Sequence, residues 1–284
     1  MAAPVHRYAA FTDDPSGGNP AGVVLDATGM SVDEMQAVAA EVGYSETAFL
    51  VPDTSDGHYT VRYYSPLAEV PFCGHATIAA GVALAKRGSG GGVVFHTRSG
   101  PVPVKTSRDD SGHETATLTT VAAHVTDLDA ADLAELLAAL GWSQDDLDPA
   151  LPPRIGYSGA YYPVVAAATR ERLRALDYDF DRLGRLMKER DWTTVQLVWR
   201  EDEHLFHARD PFPVGGVVED PATGAAAAAL GAYLRDLELV APPATVTIVQ
   251  GEDLGRPGRL RVHIPDDRPS IDVSGTAVEI TSRG

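Results

Sequence analysis

Apolar positions along the chain alternate between strand-like and helix-like spacing. Residues 5–11 and 21–25 read as strands, separated by Asp13-Asp-Pro-Ser-Gly-Gly-Asn-Pro20, a loop dense in turn formers. Ser31-Val-Asp-Glu34 is a capping box. Met35, Val38, Ala39 and Val42 follow at helical spacing, and Gly43 ends the helix. Residues 44–51 and 59–64 return to strand, a helix of small residues runs from 76 to 87, and 93–97, 102–106 and 115–119 are strands. A boundary falls at residues 121–126. Asp129 and Asp132 then open a helix with Leu133, Leu136, Leu137 and Leu140 on one face and Gly141 at its end. Residues 145–153 form a surface loop, 164–168 a strand, and 170–176 and 181–190 charged amphipathic helices. Strands at 194–200 and 205–209 precede a second Ala-rich helix at 225–234, and strands at 245–250, 260–264 and 278–281 finish the chain. The pattern predicts an α/β (α+β) protein of two domains, 1–122 and 123–284, with the last strand a candidate to return to the first.

Two stretches look like copies of each other. Arg62-Tyr-Tyr-Ser-Pro66, Glu69-Val-Pro-Phe-Cys-Gly-His75 and the run Ala76–Leu84 parallel Arg209-Asp-Pro-Phe-Pro213, Glu219-Asp-Pro-Ala-Thr-Gly224 and Ala225–Leu234. Gly74, Gly81 and Leu84 fall in register with Gly224, Gly231 and Leu234. Helices with so little bulk must be approached closely on all sides. Each also begins in a turn that aims free N–H groups at one point, an arrangement that attracts anions. The expectation is a duplicated domain whose two helix starts face one pocket that holds a small acid.

Composition narrows the function. A formal net charge of −17 and a pI near 4.8 argue against nucleic acid and anionic membrane surfaces, and oblige any acidic ligand to rely on local N–H groups and arginines. The one cysteine, Cys73, admits no intramolecular disulfide and fits a reducing, cytoplasmic setting. The first residues, Met-Ala-Ala-Pro-Val-His-Arg-Tyr, lack the apolar core of a signal peptide, and no stretch has the length and polarity of a membrane span. Gly88-Ser-Gly-Gly-Gly92 does not follow a strand in dinucleotide-binding fashion.

Several residue types carry candidate chemistry. Glu46 shares a strand face with Ala48 and Leu50. It is either a strand-end Glu that reaches water or caps a loop, or a general acid/base whose pKa burial would raise. Asp220 precedes Pro221, as in an N-cap followed by N1, so a capping role competes with a chemical one. Thr223 and Gly224 are N-terminal helix residues that let a ligand come close. His75 beside Gly74 is either structural or a proton shuttle or substrate contact. Cys73 at a helix start is either a reactive thiol of lowered pKa or an unreactive buried one. His204-x-x-His207 points its rings to opposite strand faces, and no cluster has metal-ligand spacing, so no metal site is expected.

Gly18-Asn-Pro-Ala-Gly-Val-Val24, Ser45-Glu-Thr-Ala-Phe49, Glu69-Val-Pro-Phe-Cys-Gly-His-Ala-Thr77, Glu219-Asp-Pro-Ala-Thr-Gly224 and Gln250-Gly251 keep the order and rough spacing of the PhzF family, the phenazine-biosynthesis-like proteins, and the chain resembles that family over nearly its whole length. The resemblance implies the fold of diaminopimelate epimerase: two similar domains, each a curved, barrel-like sheet wrapped around a central helix, with the active site between them. It implies that Glu46 is the catalytic acid/base and that His75 and Asp220 assist proton transfer. The backbone at Gly74, His75 and Gly224 would hold a substrate carboxylate, and Asn19 would lie beside the site. It further implies no metal, no organic cofactor and a homodimer.

The epimerase itself uses two cysteines. Cys73 stands where the first would be, and the absence of a second excludes the two-thiol mechanism. Ala225 departs from the Ser that many members carry after Thr-Gly, which bears on the substrate. The expected function is a cofactor-independent isomerase that moves a proton on a small carboxylate. The alternatives are an epimerase or racemase of an amino-acid-like substrate, using Glu46 with Cys73 or Asp220, and a non-catalytic small-acid-binding protein on the same scaffold.

Overall fold

Local sequence signals set most element boundaries in the computed structural model, which describes residues 3–89 and 91–281, so that the 88–92 turn lies partly outside the described residues. The Ser31 hydroxyl accepts from the Glu34 N–H at 3.3 Å and the Glu34 carboxylate from the Ser31 N–H at 2.8 Å. Helix α1 (Val32–Val42) therefore starts on its capping box and stops where Gly43 turns left-handed at φ 71°. The chain divides into two units, residues 1–119 with 274–284, and residues 120–273.

The first unit holds β1 (His6–Ala10), β2 (Asn19–Val24), α1, β3 (Glu46–Pro52), β4 (His58–Tyr64), β5 (Glu69–Val70), α2 (Gly74–Ala85), β6 (Val93–Thr97), β7 (Gly100–Arg108) and β8 (Glu114–Ala122). Successive pairs run β1–β2 antiparallel, β2–β3 parallel, β3–β4 antiparallel, β4–β6 parallel, then β6–β7 and β7–β8 antiparallel. The C-terminal strand, Ser270–Glu279, pairs with β8 and lies antiparallel to β1, with Ala277 opposite Ala10, so the ring of strands closes. This strand is far longer than the 278–281 segment that the pattern predicts. Its inward positions are Ile271, Val273, Gly275 and Ala277, and the last two are too small to register as an apolar stripe. Gly275 is required: a Cβ there would lie 2.4 Å from Phe11 Cδ1.

The second unit holds β9 (His124–Asp127), α3 (Ala130–Leu140), β10 (Arg154–Tyr157), β11 (Tyr161–Ala166), α4 (Arg170–Arg174), α5 (Phe180–Arg190), β12 (Gln196–Arg200), β13 (Leu205–Pro211), β14 (Glu219–Asp220), α6 (Gly224–Asp236), β15 (Ala244–Gln250) and β16 (Gly258–Ile264). Its pairings, β10–β11 antiparallel, β11–β12 parallel, β12–β13 antiparallel, β13–β15 parallel and β15–β16 antiparallel, repeat those from β1 to β7. Each parallel pair is spanned by a helical crossover: α1, α2, the α4–α5 pair and α6. The duplication is thus one of topology as well as of motif. An outer apolar layer packs α3 and α5 around Leu136, Leu140, Leu183, Met187 and Trp192.

Both Ala-rich helices are central. The run from His75 to Leu84 is wholly buried in α2, as is the run from Ala226 to Leu234 in α6. Helix α2 contacts β1, β2, β3 and β7, and α6 contacts β9, β10, β11, β12 and β16, so each sheet wraps its helix. The registered glycines mark the tightest approaches. A Cβ on Gly81 would meet Val104 Cγ1 at 2.9 Å and Ala116 at 3.0 Å, and one on Gly231 would meet Val262 Cγ1 at 2.7 Å. Gly231→Val should therefore destabilise the second unit by about 3 kcal/mol or more, because the stiff Val262 cannot give way. Urea unfolding checks this, and a loss below about 1 kcal/mol would show that the sheet yields at this point. No helix among the described residues is long and apolar enough to cross a membrane.

Candidate active site

The first unit gathers five side chains at the start of α2. Strands β2 and β3 run parallel with Ala21 opposite Glu46, which brings Asn19 and Glu46 to the same end of the sheet. Both faces of β3 are covered, by α1 on one side and α2 on the other, and Thr47 to Leu50 are all buried, so the alternation expected around Glu46 is replaced by a buried run that Glu46 opens. Helix α2 begins at Gly74 with Cys73 as its extended N-cap residue. Thr77 Oγ1 donates to the Cys73 carbonyl at 2.7 Å and takes the Tyr63 hydroxyl at 2.7 Å, which fixes the turn. Burial pushes the Tyr63 phenol up, so it stays a donor.

His75 is the hub. Its Nδ1 lies 3.1 Å from Asn19 Nδ2, and with that amide donating, the ring proton sits on Nε2. Nε2 is 3.4 Å from Glu46 Oε2 and 3.4 Å from Ser45 Oγ. Cys73 Sγ is 3.6 Å from Glu46 Oε2 and 3.4 Å from His75 Nδ1. Glu46 keeps 15% of its side chain exposed, against 6% for His75, so of these two the carboxylate is the more open to a ligand. The first intrahelical bond is Thr77 N–H to Cys73 C=O, which leaves the N–H groups of Gly74 and His75 without helical partners. Those groups can hold an anion.

The second unit presents a different set. Asp220 is on β14 and does not cap α6; the N-cap position is Thr223. The capping reading fails because Pro221 and Ala222 intervene before the helix, which starts at Gly224 as α2 starts at Gly74. Instead, Asp220 accepts from Thr223 Oγ1 at 2.5 Å. Gln250, fully buried, donates from Nε2 to the Asp220 carbonyl at 2.8 Å and accepts the Thr223 N–H at 3.1 Å. Gln250 belongs to a quoted motif, but its bracing role depends on β15 running beside β13, which local spacing does not disclose. Ala227 N–H to Thr223 C=O is the first bond of α6, so Gly224 also offers an N–H without a helical partner.

Asp210 escaped the sequence reading altogether. It is fully buried and pairs directly opposite Asp220 in the β13–β14 ladder. Thr194 Oγ1 donates to it at 3.2 Å, and the Gln196 amide, turned to satisfy both neighbours, donates to Asp210 Oδ2 and the Ala226 carbonyl at 3.3 Å. Burial first, and then the charge of Asp220, hold its carboxyl well above the ordinary carboxylate range. The folded chain thus binds a proton here that the unfolded chain releases near its ordinary pKa, and stability falls as pH rises through that interval. Asp210→Asn removes this dependence. Its Tm should match wild type at about pH 4 and exceed it increasingly toward neutral pH. Parallel Tm–pH curves would show that Asp210 is already ionised in the fold.

The histidine pair at 204 and 207 forms no metal site: the His207 ring bridges Glu201 and Glu252, each at 2.6 Å. Among the described residues, one group offers convergent metal-type donors: Glu46, Cys73 and His75. Glu46 is 27 residues before Cys73 in sequence, which is why no local spacing reveals the group.

Known proteins share this architecture from end to end. An uncharacterized isomerase of Deinococcus radiodurans is 36% identical, covering 99% of this chain and 92% of its own. The trans-2,3-dihydro-3-hydroxyanthranilate isomerase of Pseudomonas aeruginosa is 30% identical over 95% of this chain and 96% of its own. A crystal structure of the Bacillus anthracis phenazine biosynthesis protein of the PhzF family superposes with a TM-score of 0.88 at 29% identity, covering 98% of this chain and 96% of that one. The PhzC-PhzF profile, described as phenazine biosynthesis-like protein, matches residues 8–283, and the chain is accordingly a member of that family and an isomerase.

Proposed function

We propose that this isomerase relocates a proton on a small carboxylate without a cofactor, with Glu46 as the group that removes and returns it. The observation that carries this reading is the seat of Glu46. Its carboxylate is held by His75 Nε2 at 3.4 Å beside a helix start with unused N–H groups, and it keeps part of its surface open. A substrate carboxylate docked on the Gly74 and His75 N–H groups would lie within reach of it. Glu46 then takes a proton from one carbon, the electron pair shifts along the conjugated system, and the proton returns to another carbon, so nothing is gained or lost. His75 orients the carboxylate through Nε2, and Asp220, which the family resemblance marks as a helper of proton transfer, is held by Thr223. The Pseudomonas aeruginosa relative acts on a cyclic amino carboxylate, and the substrate class proposed here is of that kind.

Epimerisation by Glu46 and Cys73 is less well supported. Two groups that exchange protons through opposite faces of one carbon need that carbon between them, and a 3.6 Å contact leaves no room for it. The test is NMR of candidate acids in D2O with wild type and Glu46→Gln. Deuterium entering at a new carbon with a shifted double bond, in wild type only, is the expected result. Inversion at a single centre would sink the isomerisation reading, and exchange by Glu46→Gln at the wild-type rate would remove Glu46 from it.

A further inference from the structure

Glu46, Cys73 and His75 form a triangle whose dimensions suit a metal ion. Glu46 Oε2 and Cys73 Sγ are 3.6 Å apart, Cys73 Sγ and His75 Nε2 3.8 Å, and His75 Nε2 and Glu46 Oε2 3.4 Å. Around a tetrahedral Zn2+, bonds of about 2.3 Å to sulfur and about 2.0–2.1 Å to nitrogen and oxygen place donor pairs roughly 3.3–3.6 Å apart. The three donor atoms therefore stand, within a few tenths of an ångström, at the separations of one face of that tetrahedron, and a turn of the His75 ring, whose Nδ1 is 3.4 Å from Sγ, would aim Nε2 at the ion. A thiolate, an imidazole and a carboxylate also form a donor set that selects zinc-like ions over magnesium or calcium. The net charge of −17 favours approach of a cation.

We infer that this triangle is an inhibitory site for a thiophilic divalent cation of the Zn2+ class. The inhibition, though not the binding, rests on the proposed role of Glu46. The ion would displace the thiol proton, engage His75 through Nε2 and take one Glu46 oxygen. Asn19 would then turn its amide so that Oδ1 accepts from Nδ1–H, the outer contact that orients a ligating imidazole. A fourth position would remain for water. Glu46 bound to the ion could no longer accept a proton from carbon, so the isomerase would be silenced until the ion was withdrawn.

Titration of the full-length protein with Co2+, whose thiolate charge-transfer absorption reports sulfur ligation, tests the binding directly. Wild type should take up about one equivalent with that absorption, and Zn2+ should displace it with release of the thiol proton. Cys73→Ser should abolish the absorption. His75→Ala should weaken binding by about 100-fold or more, since losing an outer-shell contact alone costs about 10–100-fold. Zn2+ should also stop proton exchange by wild type, with recovery on adding a chelator. Absence of the absorption in wild type, or its persistence in Cys73→Ser, overturns the inference whatever the variants' stability. The two proposals fail separately. An active Glu46→Gln enzyme would remove the proposed mechanism while leaving cobalt binding intact, and an inactive Glu46→Gln enzyme whose wild type ignores cobalt would remove this inference alone.

Discussion

Glu46→Gln should lower turnover by about 10³-fold, within the range of about 10²–10⁴ that positioned acid/base groups contribute, and should leave the fold intact. Glutamine keeps the volume of the side chain. Its carbonyl oxygen can still accept from His75 Nε2, 3.4 Å away in the wild type, and from the Cys73 thiol at 3.6 Å. What it loses is basicity. The carboxylate is partly exposed and not locked in a buried ion pair with Lys or Arg, so the substitution strands no opposing charge. Rate and stability should therefore separate: exchange of substrate protons with D2O falls by about three orders of magnitude while the urea midpoint hardly moves. A loss of less than about tenfold would mean that another group removes the proton.

The second large effect concerns stability. Arg209→Met should destabilise the second unit by about 3–5 kcal/mol, whereas Arg62→Met, its counterpart in the duplicated motif, should cost the first unit about 1 kcal/mol or less. Both arginines pair with the glutamate of a two-residue strand, Glu219 and Glu69 respectively. The surroundings differ. Arg209 is buried, grips both oxygens of Glu219, and also donates to the Arg174 carbonyl at 2.9 Å, while the Glu219 side chain is only 1% exposed. Removing the guanidinium leaves a carboxylate in a dry site without its partner. Arg62 is 29% exposed, and Glu69 would retain Arg98 at 2.8 Å. Denaturant unfolding of each variant measures the difference, and replacing Arg209 and Glu219 together by Met should recover much of the loss. Equal costs at the two arginines would mean that burial does not govern these pairs.

What could be read in advance follows from how local each cause is. The capping box at Ser31 and the Asp129–Gly141 helix are set by side chains within a few residues of the backbone groups they satisfy, and they appear where the pattern puts them. The Ala-rich helices and their registered glycines announce close packing, and the structure supplies the partners, Val104, Ala116 and Val262. Strand β9 overlaps the 121–126 segment that reads as a boundary, and β10 follows the 145–153 loop where the pattern predicts no element, because four-residue strands with a polar or small residue at alternate positions carry little pattern. The candidate site divides in the same way. Glu46, Cys73, His75 and Asp220 stand in recognisable motifs. Asp210 and Gln250 acquire meaning only through strand pairing, opposite Asp220 in one case and beside β13 in the other.

The closing strand of the first unit is made only after the second unit. Ser270–Glu279 supplies the pairing that joins β8 to β1, and everything between β8 and that strand belongs to the other unit. A ribosome that has finished residue 119 has therefore released a sheet with two open edges wrapped around α2. Those edges stay available to any passing strand until some 150 further residues have emerged, a hazard that edge strands commonly pose. In this chain the N-terminal part cannot mature first and wait for the rest, as domains made in order usually do. A nascent chain stalled before residue 270 should thus stay protease-sensitive even in its earliest strands, and the assembly of Glu46, Cys73 and His75 is tied to synthesis of the Ser270–Glu279 strand.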